Sequence, residues 1–315
     1  MMHQHPLTAS APAKLILCGE HAVVYGCPAI ALPLADVRAV ATVAAGQQGE
    51  GLRLVAPDLN EAWGVHEQPT NPLSELALTV AAQLGLGQAD LTITLRSQIP
   101  LASGMGSGAA IATALVRTLT QYAGQEWDAD RIAALVYASE QRFHGTPSGI
   151  DNTVVAHERA IWFERRSPKP LIEPLTIGAP FTLVVGDTGV RSATHLPVGA
   201  VRTAWQADPV HYETLFAGVA LLVSQARSAL AKGDSATLGG LLNQNQALLE
   251  QIGVSSPELE RLIHAARQAG ALGAKLSGAG WGGIMLALAH PTQAATIAAA
   301  LCEAGAVRVL TTVVG

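Results

Sequence analysis

Charge is scarce in this chain of 315 residues: Asp, Glu, Lys and Arg make up 14% of it, against roughly 25% in an ordinary globular protein. Beside them stand 49% hydrophobic residues, a composition that excludes disorder, which needs low hydropathy and high net charge. Basic excess is missing as well. Nineteen Lys and Arg face 24 Asp and Glu, for a formal net charge of −5, so the electrostatic footprint of a nucleic-acid or anionic-membrane partner is absent. Cysteines number only three, Cys18, Cys27 and Cys302. An odd count without CxxC spacing fits neither a disulfide framework nor a zinc site, and points to a reducing cytoplasm. The N-terminal segment lacks the cationic start and apolar run of an export signal. No long apolar run is free of breakers either: residues 276–302 carry no charge, but Gly278, Gly280, Gly282, Gly283, His290 and Pro291 interrupt them, so they read as loop, strand and helix rather than a membrane span. Aromatics are few, at 4%, whereas glycine reaches 31 residues. Glycine is the residue of tight turns and close backbone approach, and its clusters are where function is sought.

Up to residue 97 the chain shows short β-like runs, LILC, AIALPL, VRAVATV, LRLVA and LTITLRS, separated by Gly, Pro and Asp, which predict an antiparallel or mixed sheet. Ile111, Leu115 and Leu119 recur every four residues and predict a helix over 109–122 that follows the small-residue loop LASGMGSG. Asp128 predicts the cap of a second helix whose apolar face is Ile132, Leu135, Val136 and Phe143, ended by Gly145 and Pro147. Strand-like AIWFE, PLTIG and FTLVVGD follow, and a domain boundary is expected near residue 180. From Tyr212 to Gln268 the pattern is helical, each segment ending at or near Gly. The tail then reads strand AKLS, loop GAGWGG, strand IMLALA, helix TQAATIAAALCEAG and strand AVRVLTTVV, an alternation that predicts an α+β architecture.

Two glycine clusters stand out, Gly104-Met105-Gly106-Ser107-Gly108 and Gly278-Ala279-Gly280-Trp281-Gly282-Gly283. Both match the GxGxxG/A pattern of dinucleotide sites, which has meaning only between a strand and a helix. A strand-like run follows the second cluster, and Ile99 to Ser103 lengthens the loop before the first, so an NAD-dependent dehydrogenase is the weaker alternative. The first cluster still has the makings of an anion site. Convergent N–H groups, the positive end of a helix and the Ser107 hydroxyl together suit phosphate and a magnesium ion. A glycine-rich surface turn would carry the same composition, and no Walker A pattern is present. Glu140 falls on the apolar stripe of its helix, where a carboxylate needs a cation, either a metal ion or an arginine such as Arg142 or Arg131. Asp151 follows the turn HGTPSGIDN, a place for a functional or a turn-capping carboxylate.

Together, APAKLILCGEHAVVYG, IPLASGMGSGAAIATAL, HGTPSGIDN and KLSGAGWGGIMLAL, spanning residues 11–288, resemble the galactokinase, homoserine kinase, mevalonate kinase and phosphomevalonate kinase (GHMP) superfamily in order and spacing. GEHAVVYG followed by HGTPSGIDN resembles its mevalonate kinases, with phosphomevalonate kinase or another small-molecule kinase of the group as the rival. The resemblance implies a two-domain α+β fold: a ribosomal-protein-S5-like N-terminal domain, 1–180, and a ferredoxin-like C-terminal domain, 181–315. It implies ATP and mevalonate as small-molecule partners, Mg2+ as cofactor and a cytoplasmic enzyme, and leaves a homodimer open. Residue by residue, it places ATP phosphates on Pro100, Leu101, Ala102, Ser103, Gly104, Met105, Gly106, Ser107, Gly108, Ala109 and Ala110. Ser107 and Glu140 would hold magnesium. Asp151 would receive the proton of the attacking hydroxyl, and Lys14 would keep Asp151 ionised and stabilise the transferring phosphoryl group. Glu20, His21, Ser148, Gly149 and Thr188 would surround the substrate, and Gly278, Ala279 and Gly280 would form a third glycine loop.

The sequence departs from the superfamily pattern at three places. Gly108 stands where serine is common. Trp281 replaces a usual glycine, and its indole must either pack under the loop or project toward the site. His195 stands near where a lysine often follows SAT-like residues, which touches the contacts to the substrate carboxylate.

Overall fold

A computed structural model describes residues 5–100, 103–144, 148–167 and 169–315, and the backbone alone at 143 and 144. The chain forms two compact units, each assembled from separate stretches: Met1–Ala13, Ala35–Pro100 and Gly106–Glu158 in the first, Lys14–Leu34, Leu101–Met105 and Arg159–Gly315 in the second.

Two long strands, β1 (Leu7–Cys18) and β2 (Pro28–Ala45), pair with each other and contribute to both units. In the first unit the later part of β2 runs antiparallel to β5 (Leu91–Ser97), with Ala39 opposite Ser97 and Ala45 opposite Leu91. β5 is parallel to β3 (Leu52–Ala56), which is antiparallel to β4 (Glu61–Gly64). Alternation sets the faces: Val37, Ala39, Ala41 and Val43 of β2 are buried, as are Leu91, Ile93 and Leu95 of β5, the period of two expected of a half-buried sheet.

Four helices complete this unit: α1 (Pro72–Gln83), α2 (Ser107–Tyr122), α3 (Ala129–His144) and α4 (Ile150–His157). α2 packs on β5 and against the other three. Leu115 and Leu119 are fully buried, as their spacing foretold. Asp128 caps α3 as expected, accepting from Arg131 N at 2.7 Å, while the proposed stop at Gly145 and Pro147 lies outside the described residues. The sequence pattern did not reveal α1, although its start is well marked: Asn71 accepts from Leu73 N at 2.9 Å and Pro72 opens the helix, where a missing N–H costs nothing.

In the second unit the first part of β2 pairs antiparallel with β6 (Ile161–Glu164), and β6 with β7 (Leu171–Pro174). The strand expected in PLTIG thus lies a few residues earlier and ends at Pro174, which cannot extend a ladder by donation. The rest is β8 (Phe181–Asp187), α5 (His195–Ala207), α6 (Pro209–Lys232), α7 (Ser235–Ile252), α8 (Pro257–Gln268), β9 (Gly273–Ser277), β10 (Ile284–Ala289), α9 (Ala294–Glu303) and β11 (Arg308–Val314). The last four strands form an antiparallel sheet in the order β11-β8-β10-β9. Two crossings with helical connections give the ferredoxin-like arrangement. Every residue of β8, β9 and β10 is buried, which explains their continuous rather than alternating apolar runs. α6 is apolar and long enough by composition to cross a membrane, yet buried Leu215, Phe216, Val219 and Val223 and its packing on α7 make it a core helix. α5 escaped the sequence pattern because Pro197 lies within it; in the first turn a proline is tolerated.

Candidate active site

In the second unit, the end of β1 and the turn after it are strapped to β9 and the loop that follows β9. Lys14 is buried and its backbone N–H bonds Met105 O at 3.0 Å. Ile16 is held twice by one side chain: its N–H donates to Ser277 Oγ at 3.1 Å, and that hydroxyl donates to Ile16 O at 2.8 Å. Gly19 has φ +106°, and a Cβ there would lie 2.5 Å from Ala29 Cα, so only glycine lets β2 pass this closely. Glu20 is 1% exposed, and its Oε1 accepts from Nζ of Lys275, which is 0% exposed. The same ammonium also reaches Leu276 O. Burial pushes the Glu20 carboxyl up from its ordinary value, with Lys275 and then Lys14 opposing. Burial and then Glu20 push the neighbouring Cys18 thiol up to about 12, leaving it inert.

His21 adopts φ +60°, a conformation uncommon outside glycine. Its Nε2 lies 2.9 Å from Ala279 O. A carbonyl can only accept, so this nitrogen carries the proton. Burial pushes the ring down to about 4, so His21 is neutral near pH 7 and its Nδ1 is a bare acceptor.

Ser103 and Gly104, where the first glycine cluster begins, meet the second cluster in this unit. A Cβ on Gly278 would lie 3.8 Å from Gly104 Cα, and one on Gly283 would lie 3.1 Å from Ser103 O. Ser103, Gly104, Ser192, Thr194, Ser277 and Gly280 line a small polar cavity beside them. Thr188, at the end of β8, is buried and donates both N–H and Oγ1 to Gly283 O, at 2.9 and 2.8 Å. Gly280 is fixed from below, since its Cβ would lie 2.1 Å from Val254 O at φ +80°. Of the expected phosphate segment, Pro100 is half-buried, Ser103 and Met105 are buried and Gly104 is exposed; Leu101 and Ala102 lie outside the described residues.

The first unit holds the remainder. Gly106, with φ +72°, opens α2, and Ala110 N closes the first turn onto Gly106 O at 3.0 Å. The N–H groups of Ser107, Gly108 and Ala109 therefore lack an intrahelical acceptor, and the helix end is positive. Ser107 Oγ is buried without a hydrogen-bond partner among the described residues. Ala109 and Ala110 are buried beneath. Glu140 is half-buried on α3 rather than fully buried on its apolar stripe. Arg142 pairs with Glu75, and Arg131 bonds Gln83 Oε1 at 2.8 Å and stacks over Trp127. Asp151 is half-buried in the first turn of α4, where the helix dipole favours a carboxylate. Gly149, at φ +89°, makes the turn into this helix, and Ser148 Oγ accepts from Ile150 N at 3.3 Å. The sequence located the turn but not the helix it opens. A wider cleft lined by Arg117, Gln121 and Trp127 also lies in this unit, but Arg117 is engaged by Ser10 O, Glu158 and Ala156 O.

Glycine loops that meet beside a strand bearing a lysine, as in the second unit, and an open helix N-terminus, as in the first, are each features that suit phosphate oxygens. Two family models match the chain, the GHMP kinases N terminal domain at residues 71–158 and the GHMP kinases C terminal at 226–307. A mevalonate kinase of Pyrococcus horikoshii is 36% identical over 97% of this chain and 95% of its own length. The chain belongs to the GHMP kinase family, in its mevalonate kinase branch. Among solved structures, the L. major mevalonate kinase in complex with R-mevalonate superposes on this GHMP kinase with a TM-score of 0.86, at 30% identity, covering 98% of this chain and 95% of that one. A Streptococcus pneumoniae phosphomevalonate kinase has a TM-score of 0.81 at 16% identity, covering 97% and 99%, a likeness of fold alone.

The departures of this GHMP kinase from its family find physical accounts. Trp281 neither enters the glycine-lined cavity nor disrupts the loop: its N–H bonds Val254 O and its indole N–H bonds Gly253 O, both at 2.9 Å, anchoring the loop on the end of α7. Gly108 is open, with nothing within 4 Å of an added Cβ. His195 is exposed at the start of α5. The dinucleotide pattern fails in the second cluster, because Gly283 leads into β10 and not into a helix. Sequence reasoning missed Lys275, Ser277, Ser192 and Thr194. Lys275 and Ser277 were visible in KLSGAG, but their partners lie 255 and 261 residues away in the chain.

Proposed function

We propose that the chain transfers the γ-phosphoryl group of ATP to the C5 hydroxyl of mevalonate, giving 5-phosphomevalonate and ADP by direct in-line transfer. The observation that carries this reading is the strap that locks the GEH turn and the Lys14 strand to the third glycine loop, in a chain whose relatives along nearly its whole length are mevalonate kinases.

The open N–H groups of Ser107, Gly108 and Ala109, with the backbone from Ser103 to Gly106, bind the phosphates, and Gly278, Ala279 and Gly280 close over them. Asp151 takes the hydroxyl proton as the oxygen attacks, and the Lys14 ammonium stabilises the negative charge on the phosphoryl oxygens. Glu20, His21 and Thr188 face the alcohol, while Ser148 and Gly149 set the turn that presents Asp151. His21 contributes through Nδ1, since Nε2–H is committed to Ala279 O; it accepts a substrate hydroxyl and does not act as a cation.

Among the described residues no cluster of three or more His, Cys, Asp or Glu is placed to hold a metal ion. Mg2+ suits the site nonetheless, because it keeps several waters and binds through one or two protein oxygens plus substrate phosphates. The unpartnered Ser107 Oγ and the Glu140 carboxylate are such oxygens, carried by the packed helices α2 and α3. Bound with the nucleotide, the ion would neutralise charge on the phosphate oxygens. We also propose that the family's two domains divide near residue 180, with the family models matching on either side.

Asp151→Asn tests the reading. It keeps the size of the side chain and removes its basicity, so kcat should fall about 10²- to 10⁴-fold, the share of a general base, while affinity for a non-hydrolysable ATP analogue stays within about twofold. Near-full turnover in this variant would remove Asp151 from the chemistry.

A further inference from the structure

Lys275 is the only charged residue of β9, and its side chain is fully buried. A buried ammonium is tolerated only when paired and hydrogen-bonded. Here Nζ is satisfied by Glu20 Oε1 and by Leu276 O. Glu20 is different. One carboxylate oxygen is consumed by the lysine, and the other, Oε2, is buried without a hydrogen-bond partner among the described residues. The lysine has two acceptors, whereas the glutamate keeps one oxygen open. On either side of it, Ser277 grips Ile16 and Ala279 grips His21, so backbone and hydroxyl contacts already hold these two segments together. A charge pair is not needed to fill the space between them, since apolar residues of similar volume do so at no loss of stability.

We propose that Lys275 is a positioning residue for phosphoryl transfer: it holds the Glu20 carboxylate charged and fixed, leaving Oε2 free to accept a hydrogen bond from the alcohol substrate. The role rests on the mevalonate kinase reading given above. The charged and titratable groups that face Glu20 are Lys14 and Cys18 on β1, its neighbour His21 and Lys275 itself. Lys14 opposes burial less than Lys275 does, so without Lys275 the desolvated carboxyl takes up a proton more readily, and as a neutral acid it accepts more weakly and can turn its O–H toward the substrate.

The test compares wild type, Glu20→Gln, Lys275→Met and the double variant in steady-state assays with ATP and mevalonate across the neutral pH range, with thermal unfolding and ATP-analogue binding in parallel. Lys275→Met should lower kcat/KM for mevalonate on the order of 100-fold, mainly through KM, and leave analogue affinity within about twofold. Its kcat/KM should climb with pH as the lone Glu20 loses its proton, a limb that lies at lower pH in the wild type, where Lys275 opposes the effect of burial. In the Glu20→Gln background, adding Lys275→Met should change kcat/KM by less than about threefold and abolish that limb. Equal losses in both backgrounds would show that Lys275 acts independently of Glu20. A Lys275→Met protein that unfolds earlier but keeps its kcat/KM while folded would reduce the lysine to a structural part; either result overturns the proposal. Should Lys275→Met fail to fold, the comparison of Glu20→Gln with the uncharged double variant decides in the same way. Failure of the wild type to phosphorylate mevalonate would instead strike the functional reading, and this role with it.

Discussion

A histidine at φ +60° with one ring nitrogen on a backbone carbonyl and a ring too buried to charge makes the stability of this protein depend on pH. The unfolded chain takes a proton on His21 near pH 6.5, and the folded chain does so only at about 4. Between these values the unfolded state binds more protons, so stability is full above the upper one and is lost as pH falls toward the lower. The whole window corresponds to roughly 3 kcal/mol for this one group. His21→Asn, which tolerates the left-handed conformation, should flatten the fall of melting temperature with acidity; a wild-type slope that persists unchanged in the variant would assign the effect elsewhere. Lys14, Glu20, His21 and Asp151 could be singled out in the sequence because each stands in a short motif that resembles the superfamily's, and the roles given to them are proposals. Lys275 could not be, because its meaning comes from Glu20, 255 residues away. The neutrality of His21 was illegible for a similar reason, since burial belongs to the fold and not to the motif.

Loops and helix ends carry the contrast between the two glycine clusters. Gly280 has φ +80° and no room for a Cβ against Val254 O, so Gly280→Ala should cost at least about 2 kcal/mol and move the third glycine loop off the end of α7. Gly108 has neither constraint. It lies in the first turn of α2 with open space around it, and Gly108→Ser should raise stability by about 0.5 kcal/mol through helix propensity, without weakening ATP binding. Calorimetry on the two variants checks both; a destabilised Gly108→Ser would mean that its backbone, not its missing hydroxyl, matters. The clusters themselves could be found by eye, but which glycines are obligatory could not, because that depends on what the chain brings against them. Most strands and long helices were legible as apolar runs or four-residue stripes. α1, α4 and α5 were not: they are short or begin at a proline or glycine that, read alone, signals a break.

At the scale of the whole molecule, the scarcity of charge matches a site assembled from backbone. In the function proposed here, backbone amides and a few buried ionic groups do the phosphate chemistry, a demand that a chain with 14% charged residues meets. The α+β class was legible in the tail's alternation of strand and helix, whereas the ferredoxin-like order of the last four strands was implied by the resemblance. The division into compact units was not legible, because β1 and β2 each contribute to both, and no local composition marks such an exchange. The central claim is the choice of acceptor, and the most direct measurement of it is ATP turnover with mevalonate, 5-phosphomevalonate, galactose and homoserine offered separately to the purified protein. Mevalonate should be phosphorylated with a kcat/KM at least about 100-fold above the others, the discrimination that a few well-placed polar contacts provide. Turnover confined to any other acceptor would contradict it.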